Sequence, residues 1–370
     1  MLPLSHRPVW TNNSECVDLS DRMLELIESA KKTLWIASPF IDDHRIVEAI
    51  ARAKSRHVRI KVITDIRNNR GRGKQYLTYG FEAKSKEAMK LEAHQACIRE
   101  LSRSLISCRS PTHYPHFKLI ISDKQTALFS SANLTKNSLG GNNDSSLEVG
   151  LSTERHDQID GLLNLLSCLW DSCPFRLILN GADVSIEQRG SGECIASIAK
   201  IVAEQGLLVN SPGEEFFSLT DAIVDGINAA KCELTIASMS FFEANRVPRL
   251  EEALLKALSR NVRVTAIIRP EHFRKEEERG QYPDTSTRRL IESGMDLRGI
   301  AGLHAKGLLF DQSEGLIISA NINPYSLTSE VESNHMEIGV KVAEGDACFN
   351  SVALFMNELN QAAIQQFVLA

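Results

Sequence analysis

The chain contains two copies of a polar motif whose residue types suit phosphate chemistry. Each copy has a histidine, a lysine two residues later, an aspartate, a Ser-x-Asn sequence and then a glutamate, at spacings that agree to within one residue. Lysine and asparagine can bind the nonbridging oxygens of a phosphate, while one histidine attacks phosphorus and the other protonates the leaving oxygen. The copies are His116, Lys118, Asp123, Ser131, Asn133 and Glu148, then His304, Lys306, Asp311, Ser319, Asn321 and Glu337.

These side chains can act together only if the backbone presents them on one face. We expect strands over 116–122 and 127–133, which place each histidine with its lysine, and each serine with its asparagine, on the same face. If the two halves pack about a pseudo-two-fold axis, the two faces meet and form one pocket. A carboxylate such as Glu148 or Glu337 could then hold each imidazole in its working tautomer.

The segments around the two motifs also repeat each other. Each half reads as helix, strand, helix, strand, which is the order of an α/β unit with crossover helices. Turn signals in the region 180–192 mark the joint, so we divide the chain into an N-terminal lobe of residues 1–195 and a C-terminal lobe of residues 196–370. We predict helices over 21–30, 46–55, 85–104, 219–229 and 250–259, and strands over 58–64 and 262–268.

The repeated pattern resembles the signature of the phospholipase D superfamily, H-x-K-x4-D-x6-G-S-x-N used twice, and the resemblance covers roughly 20–150 and 215–345. It implies an α/β fold of two similar α/β/α lobes with the active site at their interface. It also implies phosphodiester hydrolysis or transfer through a phosphohistidine, with neither a metal nor another cofactor.

The resemblance assigns roles to the motif residues by position. The two histidines are the nucleophile and the general acid, the lysines and asparagines bind phosphate, the serines support them, and the glutamates orient the imidazoles. Asp123 and Asp311 lie on the opposite strand parity from their histidines, so we expect them to make structural hydrogen bonds. The motif glycine is replaced by Ser130 and Ile318, which could tighten the strand contact.

Three features favour nucleic acid as the substrate, and we expect a nuclease, an endonuclease of DNA or RNA. The sequence Ser131–Thr135 followed by Asn142-Asn143 resembles a form common in nuclease-like members. No stretch reads as a membrane span or a long basic amphipathic helix that would indicate a lipid surface. A basic segment, predicted to follow a phosphate backbone, contains Arg67, Arg70, Arg72 and Lys74.

Two other functions stay open. A phospholipase or a phosphatidyltransferase similar to cardiolipin synthase would need a wide apolar groove near the histidines, for which the candidates are Phe40, Phe81, Phe241 and Phe242. A non-catalytic phosphate-binding or nucleic-acid-binding subunit of a larger complex is the second alternative. The sequence also leaves open the oligomeric state and whether the protein works inside a bacterial defence or repair assembly.

Composition restricts the cellular context. The chain is 43% hydrophobic and 24% charged, with a net charge of −5, so any polyanion must bind at a local basic cleft. The N-terminal residues lack an apolar signal region, and the 8 cysteines form no C-x-x-C pair, which favours a reduced, cytoplasmic protein. His335, two residues before Glu337, could face the site by strand parity. His113 and Tyr114, in a turn-forming stretch between Pro111 and Pro115, could line the cleft mouth, although an ordinary loop is favoured there.

Overall fold

The structure is a computed structural model that describes residues 8–10, 19–66, 86–140, 146–190, 207–212, 215–273, 282–328, 335–346 and 348–365. Within these ranges the chain forms two mixed sheets with helices packed on them. The predicted lobe boundary at residues 195 and 196 lies outside the described residues, as do Arg67, Arg70, Arg72, Lys74 and Phe81.

The first sheet contains nine of the described strands in the order β1-β8-β7-β6-β2-β3-β4-β9-β10. Strands β2, β3 and β4 run parallel and the other neighbours are antiparallel. Its strands are β1 Pro8–Trp10, β2 Thr33–Ala37, β3 Arg59–Ile63, β4 Ser107–Ser110, β6 Lys118–Ser122, β7 Thr126–Ser130, β8 Val149–Thr153, β9 Phe175–Asn180 and β10 Asp183–Gln188.

The second sheet repeats this arrangement in the order β12-β11-β18-β17-β16-β13-β14-β15-β19. A short strand from the first half, β5 (Tyr114–Pro115), pairs in parallel with β18 of this second sheet. Its strands are β11 Leu208–Ser211, β12 Phe216–Phe217, β13 Glu233–Ala237, β14 Arg263–Ile268, β15 Asp296–Gly299, β16 Gly307–Phe310, β17 Glu314–Ile318, β18 His335–Ala343 and β19 Ile364–Gln365.

The described helices follow the predicted pattern of each half closely. Each of the five predicted helices is present, with its ends shifted by at most two residues. A 3-10 turn, Ala244–Arg246, precedes the sixth helix. The helices are α1 Leu19–Ser29, α2 His44–Ser55, α3 Lys86–Arg103, α4 His156–Ser172, α5 Ser218–Ala229, α6 Leu250–Ser259, α7 Thr285–Glu292, α8 Pro324–Leu327 and α9 Phe349–Ala362.

Strand alternation distributes the apolar side chains over three buried clusters. On β6, Leu119 and Ile121 face a cluster shared by both sheets, whereas Ile120 faces a cluster beneath α1 and α2. The shared cluster includes α4, α9 and one face of each sheet, so the two halves have a common core. The other two clusters belong to one sheet each. The chain is therefore a two-lobed α/β protein, as expected from the sequence.

The predicted strands extend too far at the motif ends. Strand β6 begins at Lys118 rather than at residue 116, and β7 ends at Ser130 rather than at residue 133. His116 donates its backbone N–H to Met336 of the other half, and Ser131 donates its own to Val149. The motif histidine, serine and asparagine thus lie just outside the strands, where the backbone can turn toward the second lobe.

A glycine two residues after each motif glutamate permits close helix packing. A Cβ atom on Gly150 would come within 2.7 Å of Leu19 Cδ1, and one on Gly339 within 2.7 Å of Leu219 Cδ1. Helices α1 and α5 therefore approach β8 and β18 more closely than a residue with a side chain would allow. Each helix thus packs directly against a strand that contains the glutamate or begins at the next residue.

The two motif aspartates connect the start of one strand to the end of another. Asp123 accepts hydrogen bonds from the backbone N–H groups of residues 31, 32 and 33 at 2.7–2.8 Å, and Asp311 does the same for residues 231, 232 and 233 at 2.7–2.9 Å. Burial raises the pKa of Asp123, but the three N–H groups together lower it by more than burial raises it. The pKa of Asp123 therefore lies below its usual value. These contacts give both aspartates a structural role.

We predict that Asp123→Asn lowers the free energy of unfolding by about 1–3 kcal/mol, because a neutral amide cannot accept all three N–H groups. Asparagine tolerates the left-handed backbone at this position, where φ is 52°, so the change tests the carboxylate itself. Chemical denaturation measures the loss, with Asp183→Asn at an exposed position of β10 as the control. Retained turnover is expected in the folded variant, and loss of activity without loss of stability would contradict the structural role.

Candidate active site

The imidazole of each motif histidine is hydrogen-bonded to a carboxylate from the other half of the chain. His116 Nδ1 lies 2.8 Å from Glu337 Oε1, and His304 Nδ1 lies 2.8 Å from the Glu148 carboxylate. Both glutamates are fully buried. Because an ionised carboxylate only accepts hydrogen bonds, Nδ1 is the donor, and Nε2 of each ring is left for a ligand.

Backbone hydrogen bonds fix the same cross-lobe geometry. His116 donates its N–H to the carbonyl of Met336 at 3.0 Å, and His304 donates to the carbonyl of Leu147 at 2.9 Å. Met336 and Leu147 immediately precede the glutamates that bind the two rings. Each histidine is thus held at its backbone and at its ring by consecutive residues of the opposite half, so the ring position depends on how the lobes pack.

The motif serines hold the two carboxylates in place. Ser131 Oγ donates to Glu148 Oε2 at 2.5 Å and accepts the backbone N–H of Val149 at 3.0 Å. Ser319 donates to Glu337 and accepts the N–H of Ile338 at 3.0 Å in the same way. A carboxylate that is hydrogen-bonded to both a hydroxyl and an imidazole keeps a single orientation. The serine thus fixes the glutamate, and the glutamate fixes the imidazole.

The motif lysines are buried in one shared pocket. Lys118 and Lys306 are about 1% exposed or less, and each ammonium donates to the carbonyl of its own motif histidine, at 2.5 and 2.7 Å. Burial lowers the pKa of Lys118 to about 7, with a further contribution from the charge of Lys306, and burial lowers the pKa of Lys306 to about 8. The charges of both glutamates raise the pKa of each lysine, so residues from the two half-sites lie close together.

Burial sets the protonation of the histidines, whereas hydrogen bonds and the facing imidazole set that of the glutamates. It lowers the pKa of His304 to about 4 and that of His116 well below its usual value, although the partner glutamates act in the opposite direction. For Glu148 and Glu337 burial raises the pKa, but the facing imidazole and hydrogen bonds outweigh it, so both pKa values are lowered. At neutral pH the rings are therefore neutral and the carboxylates are charged.

The motif asparagines present amides with unused hydrogen-bonding capacity. Asn133 Oδ1 and Asn321 Oδ1 are buried, and neither has a hydrogen-bond partner among the described residues. A buried polar atom of this kind is typical of a site built for a polar ligand. Their backbone position is supported by two buried serines that sequence analysis did not single out: Ser38 accepts the N–H of Leu134, and Ser238 accepts the N–H of Ile322.

The structure brings the motif histidines, lysines, serines and glutamates to the lobe interface and leaves the two aspartates at the strand ends, while the basic segment 67–74 lies outside the described residues. Of the candidate groove residues, Phe40 and Phe241 are buried in the core and Phe242 is half-buried. His335 and Tyr114 both contact the ring of His116, with centroids 5.0 and 5.8 Å away. Local strand parity was the only sequence signal for His335.

Ligand atoms of His116, His335 and Glu337 lie within 4.8 Å of one another, close enough to hold a metal ion. The Glu337 carboxylate is already engaged by His116 and Ser319. The same atoms thus form a hydrogen-bonded group that orients the imidazole.

Among solved structures, a phosphatidylserine synthase from Haemophilus influenzae Rd KW20 is 15% identical, with a TM-score of 0.63, over 94% of this chain and 85% of that chain. A polyphosphate kinase from Porphyromonas gingivalis is 13% identical, with a TM-score of 0.57, over 99% of this chain, which spans only 52% of that protein. A phospholipase D family member, Nuc from Salmonella typhimurium, is 22% identical, with a TM-score of 0.35, over 45% of this chain and 94% of that chain. At these identities the likeness concerns the fold alone.

The comparison with curated proteins gives no match. The family model described as cardiolipin synthase, phospholipase D-like domain, matches residues 23–170 and 223–350, which is well over half of the chain and includes both motifs. Each matched segment contains one motif histidine and the glutamate that binds the other segment's motif histidine. With this match and the two-lobed fold, the chain belongs to the phospholipase D superfamily.

Proposed function

We propose that the protein is a metal-independent phosphodiesterase that acts through a phosphohistidine and cleaves nucleic acid. The observation that supports the chemistry most strongly is the cross-lobe exchange, in which each imidazole is held by the other lobe's carboxylate beside two buried lysines. Two equivalent histidines with free Nε2 atoms provide a nucleophile and an acid for one phosphorus atom.

In the first step, Nε2 of one neutral imidazole attacks phosphorus and a P–N bond forms as the P–O bond to the leaving group breaks. The second imidazole, protonated on Nε2, gives that proton to the leaving oxygen. The ammonium groups of Lys118 and Lys306 and the amides of Asn133 and Asn321 stabilise the charge on the nonbridging oxygens. The negative charge of the bound phosphodiester favours the protonated state of the second ring, which burial alone disfavours.

In the second step, water attacks phosphorus from the side that the leaving group has vacated. The second imidazole, now neutral, accepts a proton from the water as the P–N bond breaks. The first imidazole is released with its lone pair, and its Nδ1–H stays bonded to the carboxylate. The proton on the second ring prepares it for the next cycle, so the protein returns to its starting state.

The exit points of the variable segments favour a polyanionic substrate. Ala37 of β2 pairs with Ile63 at the end of β3 and with Leu119 beside Lys118, so β3 ends at the sheet edge where the motif begins. The described chain stops three residues later at Ile66, and the basic segment Arg67–Lys74 follows directly in sequence. The basic segment is thus joined in sequence to the end of the sheet at which the motif begins, which supports a polyanionic substrate.

The distribution of exposed apolar side chains gives less support to a lipid substrate. Among the described residues, Tyr325 is the one exposed large apolar side chain that belongs to the site region. The others lie apart on α3, β9, β10, α9 and β19 or just after α3, at Met89, Leu105, Leu179, Ile186, Leu354 and Ile364. Every helix within the described ranges is too short or too polar to cross a bilayer.

Parallel incubation with plasmid, single-stranded DNA, RNA and phosphatidylglycerol tests the substrate assignment. We expect cleavage of at least one nucleic acid and its persistence in excess EDTA, because the buried lysines supply the cations that a metal would otherwise provide. Electrophoresis and phosphate-ester analysis detect the products. Turnover of phosphatidylglycerol alone would overturn the nuclease assignment, and loss of activity with EDTA would overturn the metal-independent chemistry.

His116→Ala and His304→Ala should each reduce turnover of bis(p-nitrophenyl) phosphate by about 10³-fold or more, because nucleophile and acid act as a unit. Glu148→Gln and Glu337→Gln should have smaller effects of about 10–100-fold, since they disturb the position and tautomer of the ring without removing it. His156→Ala, at an exposed position of α4, is the matched control. Full activity of either histidine variant would exclude a shared site.

The lowered lysine pKa values predict opposite effects of pH on activity and stability. The protonated lysines bind phosphate, so kcat/KM should fall as the pH rises through about 7–8. The folded-state pKa values lie below the usual 10.5, so the folded protein binds fewer protons in this window and the free energy of unfolding contributed by these groups increases with pH above about 7.

Lys118→Met should therefore abolish turnover and change stability in a pH-dependent way, because it removes a buried ammonium group but also leaves the two carboxylates with one fewer positive partner. Thermal and chemical unfolding at pH 6 and pH 9 measure the effect. Relative to the wild-type protein the variant should be more stable at pH 6 than at pH 9, since burial disfavours the wild-type ammonium group most where it is fully protonated. Lys31→Met, on the surface, controls for a general effect of methionine. The same difference in the free energy of unfolding at both pH values would contradict the interpretation.

A further inference from the structure

A continuous series of aromatic rings leads away from one of the two motif histidines. The ring of Tyr114 stacks on His116 with centroids 5.8 Å apart, and His335 lies 5.0 Å from His116 and 5.1 Å from Tyr114. Tyr325 follows at 6.4 Å from His335, and Phe242 at 6.2 Å from Tyr325. We call Tyr114, His335, Tyr325 and Phe242 the aromatic run.

The aromatic run is exposed to solvent on one side and packs against buried rings on the other. Tyr325 is 37% exposed, and the other three rings are half-buried. Phe242 meets the edge of the buried Phe273 at 6.2 Å, and Phe273 in turn stacks on the buried Tyr282 at 3.8 Å. Rings that served only the core would be buried like this second pair. The aromatic run instead presents ring surface to solvent in a preorganised arrangement.

At the equivalent positions of the other half, all of which the structure describes, no aromatic ring is present. By the register of the two motifs, Tyr325 and His335 correspond to Asn137 and Ser146 in the first half, which form a 2.9 Å side-chain hydrogen bond instead of a ring contact. The other two positions diverge in the same way. By the same register Tyr114 matches Gly302, and Phe242 matches Asp42 because the bridges Phe241–Ile322 and Ile41–Leu134 are equivalent in the two halves.

The chemistry of the aromatic run suits nucleobases. Successive bases of a single strand stack on aromatic side chains, and every base has a π-face to offer. Base pairs inside a duplex are already stacked and cannot do so without being opened. An acyl chain would favour a purely aliphatic or phenyl lining, whereas this one contains an imidazole next to a charged carboxylate, with His335 Nδ1 3.7 Å from Glu337 Oε1.

We propose that the aromatic run binds unpaired bases on one side of the scissile phosphate, so that single-stranded nucleic acid is the preferred substrate and binds in one polarity. This inference rests on the nuclease function proposed above. The bases next to the cleaved bond lie over Tyr114 and His335, and those further along the strand lie over Tyr325 and Phe242. On the opposite side of the phosphate, next to His304, the equivalent described positions offer backbone and polar groups instead of rings.

Removal of the most exposed ring tests whether the aromatic run binds bases. Tyr325→Ala should raise KM for a single-stranded oligonucleotide about tenfold, because one stacked base loses its partner. Tyr325→Phe keeps the ring and should restore the KM, and Leu354→Ala, an exposed apolar residue on α9, should have no effect. The rise in melting temperature caused by tungstate reports whether each variant retains a folded phosphate pocket.

Abasic oligonucleotides test the polarity. A strand with abasic positions only 5′ of the cleaved bond is compared with one that has them only 3′ of it. The wild-type protein should lose about tenfold in kcat/KM with one of the two strands and little with the other. In Tyr325→Ala this difference should shrink, since part of the stacking is already gone.

The outcomes separate this inference from the function on which it rests. If duplex and single strand are cut with equal kcat/KM, or if both abasic strands behave alike, the base-binding role of the aromatic run is wrong while the nuclease function stands. If no nucleic acid is cut and phosphatidylglycerol is turned over, the proposed function itself fails. A Tyr325→Ala defect confined to the lipid substrate would assign the aromatic run to acyl chains and overturn the inference.

Discussion

The active site depends on two buried carboxylates that cross between the lobes. Glu148 and Glu337 lie far from water, and an ionised carboxylate in such a place is strongly destabilising unless it is paired and hydrogen-bonded. The imidazole of the opposite lobe and the serine of the same lobe provide those bonds. Separation of the lobes would remove the imidazole partner of both carboxylates at once. Separation of the lobes at this interface would therefore cost substantial free energy.

The lysines complete the balance of charge in this interface. Two ammonium groups and two carboxylates share a pocket that water barely reaches, and the lowered pKa values of Lys118 and Lys306 show that burial outweighs the attraction of the glutamates. Positive charge held in this way is oriented before the substrate arrives, so little reorganisation is needed when phosphate binds. A bound phosphate group would supply the negative charge that the lysines lack. The same charges thus disfavour folding and favour phosphate binding.

Local sequence patterns predicted much of this architecture, because helices and strands follow from short-range periodicity. Helix α6 lies at the predicted residues, and the duplicated motif identified the residues that meet at the interface. The pairing of each ring with the opposite lobe's glutamate could not be predicted, since it depends on how two distant halves pack. The contributions of Ser38 and Ser238 were missed because a serine at a strand end has no distinctive local signal.

Duplication explains the chemistry of the site but cannot explain in which orientation a phosphodiester would bind there. Two related half-sites provide two equivalent histidines, and a symmetric pocket gives a phosphodiester no reason to place its leaving group on one side rather than the other. Only residues that differ between the halves can make that distinction. Around His304 the equivalent positions are filled by the hydrogen-bonded pair Asn137 and Ser146, whereas around His116 they are filled by Tyr325 and His335. Under the proposed function the preserved residues set the reaction, and the diverged residues set which end of the substrate faces each histidine.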